Sequence, residues 1–101
     1  MTDGLSRLFA PRSVAVIGAS SDPKRIGGRP IAVMLERGFK GTILPVNPNR
    51  TEIQGLKAYP TVAELPEDPD VAIVAVPAAL VCETITELGK RGTSAAVVFS
   101  S

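Results

Sequence analysis

The residues best suited to chemistry form one stretch, Gly18-Ala19-Ser20-Ser21-Asp22-Pro23-Lys24-Arg25-Ile26-Gly27-Gly28. It combines glycines, two hydroxyls and two adjacent cations. An apolar run, Ser13 to Ile17, precedes it and a helical pattern follows. It therefore reads as the loop between a first strand and a first helix. There an α/β fold offers backbone N–H groups and the positive end of a helix to an anion. Gly18 lets the chain turn sharply and lets a ligand approach the backbone closely. Ser20 and Ser21 add donors, Lys24 and Arg25 add charge, and Asp22-Pro23 supplies turn chemistry. At 11 residues the loop exceeds the ~2–6 of an ordinary strand-to-helix connection. A phosphate-bearing ligand is expected here.

The identity of that ligand is only narrowed. A dinucleotide fingerprint G-x-G-x-x-G starting at Gly18 would need glycines where Ser20 and Pro23 stand. The second apolar run ends in Val46-Asn47-Pro48-Asn49-Arg50, with no acid placed to hold a ribose 2′-hydroxyl. An arginine there suits an extra ribose phosphate. Both NADP and coenzyme A carry one, so Arg50 leaves both open.

Composition removes other chemistries. The 101 residues contain no histidine and one cysteine, Cys82. Histidine acid–base catalysis, an internal disulfide and a zinc site are not expected, and no catalytic or metal-binding residue is assigned. A net charge of +1 and four aromatics provide neither a basic field nor a base-stacking platform, so nucleic acid is not an expected partner. No apolar run approaches the ~18 residues of a membrane span, and Met1 to Pro11 lacks the pattern of a signal peptide. A cytoplasmic location is expected.

The positioning elements follow from periodicity. Ser13–Ile17, Thr42–Val46, Val71–Val76 and Ala95–Phe99 read as buried strands. Between the first two, Ile31, Met34 and Leu35 form a helical stripe with Gly38 as its stop. Between the last two, Leu80, Val81, Thr84, Ile85 and Leu88 form another, with Glu87 spaced to pair with Arg91 and with Gly92 following. Cys82 beside that stripe is read as a packing residue, as is Tyr59. Thr61–Leu65 reads as a short helix with Glu64 completing a capping box, and Gly55–Tyr59 as a brief extended piece. Leu5, Leu8 and Phe9 suggest an amphipathic turn before Pro11. Strands alternating with helices predict an α/β, Rossmann-like, doubly wound parallel sheet in a single domain.

Four segments carry a family resemblance. They are Leu8-Phe9-Ala10-Pro11-Arg12-Ser13-Val14-Ala15-Val16-Ile17-Gly18-Ala19-Ser20, Ile43-Leu44-Pro45-Val46-Asn47-Pro48-Asn49, Val71-Ala72-Ile73-Val74-Ala75-Val76-Pro77-Ala78, and Ala95-Ala96-Val97-Val98-Phe99-Ser100-Ser101. In this order they resemble the CoA-binding domain of NDP-forming acyl-CoA synthetases, relatives of the succinyl-CoA synthetase alpha subunit and of ADP-forming acetate–CoA ligases. The resemblance implies coenzyme A as cofactor. It implies contacts from Ser20, Ser21, Asp22 and Pro23, and Gly18, Ala19, Lys24 and Arg25 of the same loop are expected to bind beside them. Arg50, after Asn47 and Pro48, would face the phosphorylated adenosine end. Val76, Pro77 and Ala78 would line the same crevice, and Phe99, Ser100 and Ser101 would lie near the pantetheine arm. All sit at carboxyl ends of strands, where open α/β sheets bind ligands. Pro77 also suits the first turn of a helix.

Members of that family pass the acyl group through an acyl phosphate and a phosphorylated histidine. The resemblance places that histidine in a following domain and the nucleotide in an ATP-grasp unit, which become the expected partners. Residues 1–101 then read as the N-terminal, CoA-binding part of a larger enzyme, truncated at its C-terminal end. Such a piece would bind without turnover and would expose a sheet edge. Two alternatives are a free-standing CoA-binding protein and an NAD(P)-binding oxidoreductase or redox sensor. Against the latter, the loop is too long for a short-chain dehydrogenase and no Tyr-x-x-x-Lys pair is present.

Overall fold

The four apolar runs become the four strands of one parallel sheet in the computed structural model, which describes residues 11–99. The elements are β1 (Ser13–Ile17), α1 (Arg29–Glu36), β2 (Thr42–Val46), β3 (Glu52–Ile53), β4 (Leu56–Lys57), a 3₁₀ turn (Val62–Glu64), β5 (Val71–Val74), α2 (Ala78–Lys90) and β6 (Ala95–Val98). Strand order is β2-β1-β5-β6. Val14 pairs with Ile43 on one side and Val71 on the other, and Val71 pairs with Ala95. β5 and β6 end earlier than their apolar runs. The Ala75 N–H still donates to Ile17 O (2.8 Å) and that of Phe99 to Val74 O (2.8 Å), but Pro77 then leaves the ladder with no N–H to give.

After β2 the chain crosses back over β1, so connections leave the β1–β5 boundary in opposite directions. Right-handed crossovers then place helices on opposite faces. One face packs Ala15, Ile17, Leu44, Val46, Ala72 and Val74 under Val62, Leu65 and Leu88. The other packs Val16 with Ala19, Ile31, Ile53 and Ala58, backed by Met34, Ile43 and Ile73. With neighbours on both sides and cover on both faces, every residue of β1 is buried.

The helical stripes are narrower than their spacing predicts. In α1 Ile31 is fully buried and Met34 packs partly, but Leu35 is exposed. In α2 only Thr84 and Leu88 are buried, whereas Leu80 is 47 % and Ile85 38 % exposed. Each helix rests on a single line of the sheet, and nothing described covers the flanks. Cys82 is likewise exposed rather than packed. Among the described residues no helix is long and apolar enough to cross a membrane.

Arg91 does not pair with Glu87. It reaches across to the 3₁₀ turn, where its Nε donates to Asp68 Oδ1 (2.6 Å) and its terminal nitrogens donate to the carbonyls of Val62 (2.9 Å) and Leu65 (2.9 Å). A single glutamate cannot satisfy a planar, five-donor group, whereas the Asp68 carboxylate and the part-buried turn carbonyls together take a donor from each of its three nitrogens. In the 3₁₀ turn the Thr61 hydroxyl bonds Glu64 Oε2 (3.2 Å), a side-chain pair rather than the capping box. At the amino ends of the strands, buried Asp70 accepts from the Arg12 N–H (2.8 Å), and its own N–H donates to Ser13 Oγ (3.1 Å). β6 forms one edge of the described sheet, with Val97, Val98 and Phe99 exposed. Leu5, Leu8 and Phe9 lie outside the described residues.

Candidate functional site

The carboxyl ends of β1, β2 and β5 meet at Gly18. It takes φ +84°, and its N–H and that of Ala19 both donate to Val46 O, at 3.0 and 3.1 Å. A Cβ on Gly18 would overlap the carbonyl oxygen of Ala75. The absence of a side chain thus brings the ends of β1 and β5 together at the point where the crossovers diverge, which is where open α/β sheets bind ligands.

Beyond Gly18 the loop folds back on itself. The Ser20 N–H donates to Gly27 O (3.2 Å), and Gly27 lies so close to Gly18 O that a Cβ would strike it. Asp22 organises the tip. Its N–H donates to Ser20 Oγ (3.0 Å), its Oδ1 accepts from the Lys24 N–H (2.9 Å), and its carbonyl accepts from the Arg25 N–H (3.1 Å). Arg25 stands 3.9 Å from the same carboxylate, an exposed and loose pair. The Arg25 carbonyl then takes the N–H groups of both Gly28 (3.0 Å) and Arg29 (2.9 Å). Pro30 in the first turn has no N–H, so the start of α1 offers less to an anion than its position predicts. Instead, among the described residues, the N–H groups of Ser21, Ile26 and Gly27 have no internal acceptor.

Ile26 and Gly27 line a cavity of about 430 Å³ together with Gly18, Ser20, Lys24, Arg25 and Ala75. Unpaired amides beside two cations form an anion-binding concavity. Across Gly18 and Ala75 lies a second cavity of about 510 Å³, floored by Val46, Pro48, Val76 and Pro77 and rimmed by Glu83 and Glu87 of α2. A groove of about 480 Å³ leads from Lys24 and Arg25 along Ile26 and Val33 to Phe99. The crevice is therefore cationic at its centre and largely apolar to either side. Its chemistry suits a ligand with a phosphate-rich middle and less charged ends.

The sequence-derived residues separate on this geometry. Gly18, Ser20, Lys24 and Arg25 share the central cavity, Pro48, Val76 and Pro77 share the second, and Phe99 closes the groove. Others line none of these three cavities. Ala19 is buried in the α1-side core with its N–H engaged. Asn47 spends its amide on the protein: Nδ2 donates to Ala19 O (2.9 Å) and Oδ1 accepts from the Asn49 N–H (2.7 Å). Asp22 shapes the tip, and Pro23 faces the outer side of α1 with Ala32 and Glu36. Ser21 and Ala78 are exposed, and Arg50 is exposed with no ion pair among the described residues. Ser100 and Ser101 lie outside the described residues.

One contributor escaped the sequence reading. Gln54, in the turn between β3 and β4, donates from Nε2 to Ser20 O (3.0 Å) and Gly28 O (2.9 Å), bridging the two ends of the loop. Its only sequence signal is the Gln54-Gly55 pair between two short extended runs, a hairpin-turn signature that carries no hint of the long-range contact.

Comparison with known proteins agrees with this geometry. The sequence pattern of the family described as "CoA binding domain" matches residues 12–101. A trans-feruloyl-CoA synthase from an unknown prokaryotic organism is 44% identical over 97 residues, covering 96% of this chain and 14% of its own length. An ADP-forming acetate–CoA ligase of Archaeoglobus fulgidus is also 44% identical with the same coverage. The solved dinucleotide-forming acetyl-coenzyme A synthetase 1 of Candidatus Korarchaeum cryptofilum superposes with a TM-score of 0.89 at 45% identity, over 96% of this chain and 21% of that one. The chain thus spans only 14% to 21% of the length of these relatives. The match over residues 12–101 shows that this chain belongs to the CoA-binding domain family and is homologous to part of the NDP-forming acyl-CoA synthetases.

Proposed function

We propose that this domain binds coenzyme A in the crevice at the carboxyl ends of β1 and β5. The observation that carries the reading is the central cavity, where the unpaired Ile26 and Gly27 amides stand beside Lys24 and Arg25. Those groups would hold the pyrophosphate, with Ser20 adding a hydroxyl. Arg50 would meet the ribose phosphate, and Pro48, Val76 and Pro77 would contact the adenosine end. The groove running to Phe99 would take the uncharged pantetheine arm. When bound, coenzyme A supplies the thiol that accepts an acyl group. The domain's own residues hold and orient it and carry no chemical step.

The parent activity is read from the relatives: an ADP-forming acyl-CoA synthetase of the cytoplasm, with the phosphorylated histidine and the nucleotide site supplied by further domains or subunits. The chain alone binds coenzyme A without turnover. Calorimetric titration with coenzyme A, dephospho-coenzyme A and NADP tests the assignment. We expect coenzyme A to bind most tightly and Arg50→Ala to weaken it. NADP binding more tightly than coenzyme A would overturn the ligand assignment.

A further inference from the structure

We infer that Gln54 is a positioning residue that holds the Ser20–Gly28 loop in its ligand-ready shape, an inference that rests on reading this loop as the phosphate site. The Gln54 amide nitrogen has two hydrogens, and it meets two carbonyl oxygens, Ser20 O at 3.0 Å and Gly28 O at 2.9 Å. These acceptors are the two ends of the loop that carries Lys24, Arg25 and the unpaired amides. The neck is otherwise closed by one backbone bond, Ser20 N–H to Gly27 O (3.2 Å).

The hairpin does not need this contact for its own anchoring. Ile53 and Ala58 are buried in the α1-side core, and the Tyr59 N–H donates to Pro45 O (2.9 Å). The backbone at Gln54 argues the same way. The turn places Gln54 at φ +51° and Gly55 at φ +82°, so both central residues have the positive φ of a type I′ turn. Glycine and asparagine fit that first position better than glutamine does. What glutamine adds is an amide on an arm long enough to reach the loop. Asn47 supports the same loop from the β2 side through Ala19 O (2.9 Å), so two amide side chains brace it from two elements. A loop held in its bound shape before the ligand arrives loses less conformational freedom on binding.

The test compares wild type with Gln54→Gly and Gln54→Glu in the whole 101-residue chain. Gln54→Gly suits the turn better but removes the clamp. Gln54→Glu keeps the arm and sets a carboxylate against two carbonyls. For Gln54→Gly we expect a melting temperature within a few degrees of wild type and unchanged hydrogen exchange at Val16 in β1. Exchange at the Ser20 and Gly28 amides should be faster, and the Kd for coenzyme A should rise about tenfold. Gln54→Glu should weaken binding at least as much. Unchanged loop exchange with a Kd within about twofold of wild type would overturn the inference. So would an affinity loss matched by lost protection at Val16, the mark of a merely structural role. If wild type takes up no coenzyme A, the ligand reading fails, and the loop exchange alone decides the clamp: faster exchange in Gln54→Gly supports it and unchanged exchange refutes it.

Discussion

Gly18 sits against the carbonyl oxygen of Ala75 at a distance that leaves no room for a Cβ. This contact joins the carboxyl ends of β1 and β5, and both residues line the central cavity and the second cavity. It fixes the floor of the crevice and the exit direction of the loop at once.

Gly18→Ala should therefore act on fold and site together. The left-handed φ of +84° alone costs an alanine about 1–2 kcal/mol. Displacing the Ala75 backbone adds to that, so we expect a loss of ~2 kcal/mol or more in urea unfolding. A variant as stable as wild type would show that the strand ends part easily and that the contact is not structural.

The cations of the loop should contribute to affinity without supporting the fold. Lys24 is exposed and has no ion pair among the described residues, while Arg25 is held only loosely at 3.9 Å from Asp22. Each change to alanine should weaken coenzyme A binding by roughly three- to tenfold and flatten its dependence on salt. Chemical denaturation should be unchanged. Equal affinity at low and high salt for wild type would argue against a charge-held phosphate.

Arg91 and Asp68 form a close pair, but the two partners should be unequal in effect. Arg91 is 19% exposed and also serves the Val62 and Leu65 carbonyls, whereas Asp68 is 65% exposed. Arg91→Ala strands part-buried acceptors and should cost about 1–3 kcal/mol. Asp68→Ala removes a solvent-screened partner and should cost about 0–1 kcal/mol. Equal losses measured by denaturation would mean the ion pair itself, not the turn carbonyls, secures α2 to the 3₁₀ turn.

Much of this arrangement was legible in the sequence, and the rest was not for identifiable reasons. Apolar runs located β1 and β2 to the residue, because buried parallel strands read as continuous hydrophobic stretches. The Gly18-to-Gly28 loop stood out by length and composition, and it does meet the crevice. Side-chain commitments could not be read. Asn47 commits its amide to Ala19 O, which no local pattern announces, and Arg91 looked like a partner of Glu87 and instead reaches residues 23 to 29 positions away. Gln54 lay outside any motif because its contacts span 26 and 34 residues. Helical spacing likewise overstated burial at Leu35, Leu80 and Ile85, since periodicity shows which face is apolar but not how much of it is covered.

Amide chemical-shift mapping of the ¹⁵N-labelled chain during titration with coenzyme A tests the central claim most directly. We expect saturable shifts at Ser20, Ser21, Lys24, Ile26, Gly27 and Ala75, with little change at the Arg12–Asp70 end of the sheet. Shifts confined to residues away from the carboxyl ends of β1 and β5, or none at all from a folded protein, would contradict it.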